Sequence, residues 1–263
     1  FPDISHYSLH AGYFHYGLAG VSAFIKANLD CELKLFHIKK KINMNVFLNE
    51  VKNNQPEIVA FTATTNSFPL VEKYARWIKS FDNKILTVLG GVHVTIDTEN
   101  VLLDSNLDVV IRGDGEKPML ELAKSWFDSR RIPECEGIWY KKDGKLFNGG
   151  FSAVEDLDEL PYPDWELFDY LNLSDPKQGM GGFMASRGCP FNCGFCANNI
   201  LKKIYANSGP FLRRKSIPYL IKEIKQASKR YKFSSIEFTD DLFTLDKKWL
   251  LEFCKSYPKN FKY

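Results

Sequence analysis

The sequence has no long apolar run. Its longest uncharged stretch, Ile4 to Ile25, is broken by His6, His10, His15 and several Tyr and Ser residues, so it lacks the roughly 20 continuous apolar residues of a membrane-spanning helix. A secretory leader is not indicated, because no basic start is followed by an apolar core and a small-residue cleavage site. Charge of one sign is scarce: 35 Lys and Arg stand against 32 Asp and Glu, a net charge of +3, too little to mark a nucleic-acid or membrane surface by itself. Repeats and low-complexity tracts are missing. Cysteine is sparse, and three of the six crowd into eight residues. That placement suits metal ligation in a reducing cytosol better than three disulfides, so a cytoplasmic protein is expected. What remains, 44% hydrophobic and 25% charged residues, excludes a disordered chain, a collagen-like chain or a small disulfide scaffold and allows one large or two modest domains.

Apolar runs and helical patterns alternate along the first half. Tyr16 to Leu29 reads as a helix with Leu18, Val21, Ile25 and Leu29 on one face. Strand-like runs are Leu33–Ile38, Ile58–Thr62, Ile85–Leu89 and Val109–Ile111, with helical stretches at Val46–Lys52, Leu70–Phe81, Glu99–Leu103 and Lys117–Phe127. Short apolar runs without polar alternation, separated by amphipathic helices, predict a doubly wound α/β domain with a parallel sheet covered on both faces. In one common order of such sheets the first strand lies inside the sheet. A chain that opens on a helix is therefore expected to lack its first strand, or to follow another strand order. The start at Phe1 likewise suggests part of a longer protein.

Residues 137–147 read as a hairpin turning at Asp143-Gly144, and 152–180, acidic and then rich in proline (Pro161, Pro163, Pro176), as a linker. From Gly181 the pattern is strand (Phe183–Ser186), cysteine loop, helix (Ile217–Tyr231), strand (Ile236–Thr239) and helix (Lys247–Ser256). Two βα units are too few for a closed eight-unit barrel, which takes about 250 residues. The expected organisation is a doubly wound domain over 1–135, hairpin and linker over 136–180, and the start of a barrel over 181–263, cut short at its C-terminal end.

The chemistry concentrates in Ser186-Arg187-Gly188-Cys189-Pro190-Phe191-Asn192-Cys193-Gly194-Phe195-Cys196, a C-x3-C-x2-C spacing. Cysteines four and three apart could form a buried helical stripe, but Gly188, Pro190, Asn192 and Gly194 are poor helix residues. A structural zinc site takes four ligands, typically two separated pairs, whereas Cys31, Cys135 and Cys254 stand alone and no His follows nearby. The balance favours an iron–sulfur cluster. Three protein thiolates on a four-iron cluster would leave one iron open to a second molecule.

On these residues the sequence resembles the radical S-adenosylmethionine superfamily, with its C-x3-C-x2-C motif after the first barrel strand and an aromatic residue, here Phe195, before the last Cys. The resemblance implies a [4Fe-4S] cluster on Cys189, Cys193 and Cys196, S-adenosylmethionine on the open iron, Phe195 near the adenine, and a polar segment at the end of the second strand facing the amino group. Here that segment is Thr239-Asp240-Asp241, in place of Gly-Gly-Glu, so either Asp240 or Asp241 would take the role. An external electron donor of flavodoxin or ferredoxin type is implied as well.

Arg213 and Arg214, just before the helix that Ser216 would cap, could grip a carboxylate or remain solvated. Residues 187–232 hold eleven Lys and Arg against the single Glu223. Lys222, Lys225, Lys229 and Lys232 fit an exposed helix face, so a nucleic-acid partner is not expected.

In the first domain, Thr62-Ala63-Thr64-Thr65-Asn66, Gly90-Gly91-Val92-His93-Val94-Thr95 and Arg112-Gly113-Asp114-Gly115-Glu116 each follow a strand, where open α/β sheets bind ligands. They resemble the cobalamin-binding, Rossmann-like domain that precedes the radical domain in one branch of the superfamily. The similarity runs on through the linker, in Asp156-Leu157-Asp158-Glu159-Leu160-Pro161-Tyr162-Pro163-Asp164-Trp165. It implies cobalamin contacts from Thr64, Asn66, Gly90, Gly91, His93, Thr95, Gly113, Gly115 and Glu116. The D-x-H-x-x-G motif, whose His ligates cobalt in methionine synthase-type domains, is missing. Cobalamin would then have no protein His below cobalt, or the domain has lost its cofactor; His93 is not read as a cobalt ligand. His6, His10 and His15 are taken as loop or helix packing.

The leading expectation is a cobalamin-dependent radical enzyme that cleaves S-adenosylmethionine to a 5′-deoxyadenosyl radical and C-methylates a small or lipid-like substrate, with ring formation or oxygen insertion left open and no catalytic side chain assigned. Two others compete. A tRNA methylthiotransferase-like enzyme would need a second set of three cysteines in the first domain. A non-catalytic iron–sulfur carrier would need a fourth ligand, for which only Cys254 is available.

Overall fold

The computed structural model describes residues 14–38, 41–173, 179–206 and 208–262; His6, His10 and Pro176 lie outside them. The chain divides into two compact units at Ala153/Val154, with the start of the first helix, α1 (Tyr16–Asn28), counted in the second unit and its end in the first.

The first unit holds α2 (Met44–Asn54), β1 (Ile58–Thr62), α3 (Phe68–Phe81), β2 (Leu86–Gly90), α4 (Val92–Ile96), α5 (Thr98–Asp104), β3 (Val109–Ile111), α6 (Glu116–Ser129), β4 (Ile138–Lys142) and β5 (Lys145–Asn148). Its five strands lie in sequence order. β1, β2 and β3 run parallel, with Ile58 opposite Leu86 and Val88 opposite Val109. Leu86 to Leu89 and all of β3 are buried, as the unbroken apolar runs require of strands covered on both faces. On α3, Val71, Tyr74, Ala75 and Ile78 are buried, the i, i+3, i+4, i+7 stripe of a helix lying on a sheet. Tyr74 stacks on Phe47 of α2 at 4.7 Å between ring centroids, and both belong to the main core with Phe61, Leu89, Val110 and Trp139. The Asn43 side chain accepts the Val46 N–H at 3.0 Å and starts α2.

Two expectations change. Leu33–Ile38 forms no strand, although Ile38 is buried in the core: apolar composition alone does not make a strand without a hydrogen-bonded neighbour. The hairpin, read as the start of the connecting segment, instead extends the first sheet. β4 pairs antiparallel with β3, placing Trp139 opposite Val110, and returns as β5.

The second unit holds β6 (Met180–Phe183), β7 (Ser186–Arg187), α7 (Asn198–Tyr205), β8 (Arg213–Arg214), α8 (Ile217–Arg230), β9 (Ser235–Phe238) and α9 (Lys247–Asn260). β6 and β9 are parallel, with Gly181 opposite Ile236 and Phe183 opposite Phe238, and α8 lies between them in sequence, giving one βαβ unit of a barrel-type fold. Ser216 caps α8 by accepting the Tyr219 N–H at 3.2 Å, as its position predicted. The segment read as a linker is packed. Trp165 stacks on Phe14 at 4.2 Å, and Phe168, Tyr170, Phe183, Tyr231 and Phe233 close an aromatic core around it. Asp164 accepts a 2.6 Å hydrogen bond from Ser22. His15 accepts the Leu18 N–H through Nδ1 at 3.2 Å, at the start of α1. Among the described residues no helix is long and apolar enough to cross a membrane.

Candidate functional site

In the first unit the three polar segments meet at the carboxyl ends of β1, β2 and β3, tied to one another. His93 donates its backbone N–H to the Ala63 carbonyl (3.2 Å), and its Nδ1 lies 3.2 Å from Thr65 Oγ1. The Thr95 hydroxyl donates to the Gly91 carbonyl at 2.9 Å and accepts the Gly113 N–H at 3.2 Å. Arg112 donates from Nε to the Thr95 carbonyl at 3.3 Å. Gly91 sits at φ +102°, and a Cβ there would stand 2.7 Å from Thr62 Oγ1 and 2.9 Å from the Ala63 carbonyl, so only glycine lets this crossing close.

These contacts separate the nine residues read from sequence. His93, Thr95 and Glu116 are buried, at 9%, 4% and 2% exposure, and the first two carry bonds between the loops. Thr64 and Asn66 are exposed, and Gly90, Gly91, Gly113 and Gly115 half-buried. Beside Gly90 a Cβ would meet nothing within 4 Å. His93 Nε2 is buried with no hydrogen-bond partner among the described residues, and burial pushes the imidazole pKa below its ordinary value. The open space beside Gly90 at the end of β2, with Thr64 and Asn66 exposed at the end of β1, fits a polar cofactor resting on these loops. Ser152 was missed by sequence reading. It donates its N–H to the Arg112 carbonyl (3.1 Å) and accepts the Asp114 N–H (2.8 Å), but it lies in the run read as a linker and carries no motif.

In the second unit the cysteine loop leaves β7. Gly188 has φ +87°, and a Cβ there would stand 2.2 Å from the Phe211 carbonyl oxygen. Beyond it, residues 188–196 are irregular apart from a turn in which Cys196 N–H donates to the Cys193 carbonyl at 3.1 Å. Lys202 of α7 donates to the Pro190 carbonyl (2.9 Å) and to Asn192 Oδ1, bracing the loop's midpoint. Cys193 is exposed, Cys189 and Cys196 half-buried, and all three are free thiols. Among the described residues no three His, Cys, Asp or Glu side chains converge closely enough to hold a metal ion, and Cys254, exposed on α9, joins no such group. The donor set still fits a cluster: three soft sulfur donors on one irregular loop with no nitrogen or oxygen ligand competing.

The two aspartates after β9 differ. Asp240 accepts the Ala185 N–H at 2.9 Å and the Ser186 hydroxyl, so its carboxylate is turned onto the root of the cysteine loop. Asp241 is exposed and accepts from Asn198 Nδ2 at 2.9 Å. Phe195 is 97% exposed. Both arginines reach backbone carbonyls. Arg213 is buried and donates to the Val154 carbonyl at 2.8 Å. Arg214 donates to the Phe243 and Leu242 carbonyls at 3.1 and 3.4 Å and lies over Trp249. Lys222, Lys225, Lys229 and Lys232 are exposed.

Residues 13–123 match the B12 binding domain family. An uncharacterized methyltransferase of Pyrococcus horikoshii is 30% identical over 234 residues, covering 88% of this chain and 50% of that protein. The solved structure of the cobalamin-dependent S-adenosylmethionine radical enzyme OxsB, with aqua-cobalamin and S-adenosylmethionine bound, superposes with a TM-score of 0.72 at 15% identity, over 95% of this chain and 35% of that one. The radical S-adenosylmethionine methyltransferase TsrM from Kitasatospora setae, with cobalamin and a [4Fe-4S] cluster bound, does so at 0.66 and 15% identity, over 93% and 49%. The chain thus spans about half the length of the curated relative and less than half of each solved neighbour. Residues 13–123 thus form a B12-binding domain, and the chain shares the fold of these two cobalamin-dependent radical enzymes over most of its length.

Proposed function

We propose that this chain forms the cofactor-binding part of a cobalamin-dependent radical enzyme that C-methylates a small-molecule substrate. The observation that carries this reading is the donor set of the loop. Cys189, Cys193 and Cys196 offer three free thiols on one irregular stretch at a strand end, and Cys254 lies on α9. Three ligands suit a four-iron cluster with an open iron. When bound, the cluster would supply the electron that cleaves S-adenosylmethionine to a 5′-deoxyadenosyl radical, and cobalamin the methyl group. The two solved neighbours, which hold these cofactors between them, support that assignment.

The chain's own residues bind and position. Thr64, Asn66 and the open backbone at Gly90 would face cobalamin, held in place by His93 and Thr95. Asp241, exposed at the end of β9, would offer its carboxylate to the amino group of S-adenosylmethionine, and Phe195 its exposed ring to the adenine. The electron would come from a flavodoxin- or ferredoxin-type donor. Protein groups place the cofactors, whose chemistry is their own.

The test is anaerobic loading with iron and sulfide. A brown protein with about four irons per chain is expected, with the cluster lost in Cys189→Ser, Cys193→Ser and Cys196→Ser and kept in Cys254→Ser. Loss of the cluster in Cys254→Ser, or a colourless zinc protein, overturns the reading. Formation of 5′-deoxyadenosine by the loaded protein with dithionite and S-adenosylmethionine tests the reaction.

A further inference from the structure

Three short segments close a ring around the root of the cysteine loop. On one flank, Thr239 donates its N–H and hydroxyl to the Phe183 carbonyl at 2.8 and 3.2 Å, and the next residue, Asp240, accepts from the Ala185 N–H and the Ser186 hydroxyl. On the other flank, Lys215 N–H donates to the Ala185 carbonyl at 2.8 Å, and Ser186 pairs with Arg214 in the β7–β8 ladder. The ring closes where the Arg214 guanidinium reaches back to the carbonyls of Leu242 and Phe243, while Trp249 donates to the Lys215 carbonyl at 2.9 Å. Ala185 is thus bonded on both sides of its peptide unit, and Cys189 follows Ser186 by three residues.

We infer that Asp240 is a positioning residue for the cysteine loop, acting through Ala185 and Ser186 rather than by touching S-adenosylmethionine. Each of its oxygens accepts from a donor at the loop's root. The root is where β-structure ends and the free cysteine stretch begins. A displacement there moves Cys189 relative to Cys193 and Cys196, which are joined locally by the Cys196 N–H on the Cys193 carbonyl. The segment that follows the second strand of this fold is thereby divided between two adjacent acids, one turned inward onto the loop and one, Asp241, turned outward. The role assigned to Asp240 uses the proposed cluster for its purpose, while the brace itself is a property of the cluster-free chain.

Asp240→Asn and Asp240→Ala separate the possibilities, with Ser186→Ala as a milder break. An amide can accept the Ala185 N–H through its oxygen and donate to Ser186 Oγ through its nitrogen. Asp240→Asn should therefore keep full iron loading and hold S-adenosylmethionine within about threefold of the parent. Asp240→Ala should make the Ala185 amide exchange about tenfold faster in the cluster-free chain and lower iron content, with Ser186→Ala between it and the parent. Full iron content with S-adenosylmethionine binding weakened about tenfold or more in Asp240→Asn would show a direct charge contact and overturn the inference. So would unchanged Ala185 exchange and iron content in Asp240→Ala. If the parent chain itself loads no cluster, the proposed function fails, and the exchange comparison still decides the brace.

Discussion

The Gly113 amide donates to the Thr95 hydroxyl at 3.2 Å across eighteen residues of sequence, and the same hydroxyl donates to the Gly91 carbonyl. One buried oxygen thereby joins the loop after β2 to the loop after β3. Thr95→Val keeps the shape and removes both bonds, leaving a backbone N–H without its acceptor. Such a loss costs about 1–3 kcal/mol. Denaturant unfolding of the variant should show a loss in that range, and weaker cobalamin binding should accompany it, because both rim loops lose their shared support.

Gly90 and Gly91 are neighbours with opposite roles. At Gly91 the left-handed backbone and the contacts with Thr62 and Ala63 leave no room for a methyl group, so Gly91→Ala should destabilise the first unit by more than about 2 kcal/mol. Beside Gly90 the space is open. Gly90→Ala should unfold within about 0.5 kcal/mol of the parent yet weaken cobalamin binding, as read by spectral titration. Equal behaviour of the two variants in unfolding would contradict this division.

The buried His93 makes the first unit acid-sensitive. Burial, only partly opposed by Asp97, holds its pKa below the ordinary 6.5. The unfolded chain therefore binds a proton that the folded chain refuses. The stability this imidazole lends is present above pH 6.5 and is lost as pH falls from there toward its folded value. Between pH 7.5 and 5.5 the parent should lose more stability than His93→Gln does. Unfolding curves at the two pH values give this difference, and parallel pH slopes in parent and variant would refute it.

The parts of this molecule that could be read from sequence are those fixed by local pattern. The runs Ile58–Thr62 and Val109–Ile111 became strands within the bounds read for them, and Asp143-Gly144 turned a hairpin. Leu33–Ile38 looks no different in composition, but a strand exists only with a partner, and partnership is long-range. The same limit hid the docking of β4 on β3. Prolines and acids made 152–180 look like a linker, while Trp165, Phe168 and Tyr170 within it were the signal of a packed segment. At the site, spacing singled out the three cysteines, whereas nothing local distinguishes Asp240 from Asp241. Their difference comes from Ala185 and Ser186, more than fifty residues upstream.

Gly188 offers a test of whether the cysteine loop must leave β7 in one direction. Its φ of +87° is costly for any side chain, and the Cβ of an alanine would fall 2.2 Å from the Phe211 carbonyl oxygen. That neighbour is backbone and cannot swing aside as a flexible side chain would. Gly188→Ala must therefore shift either the stretch before β8 or the loop carrying Cys189. The loop is the weaker of the two, because β8 is held to β7 by its ladder and Arg213 is bonded to the Val154 carbonyl. Iron loading should fall to half or less of the parent's, while cobalamin binding by the first unit, which contains neither residue, stays unchanged. Full iron loading in Gly188→Ala would mean that the cluster fixes the path of the loop and the polypeptide does not.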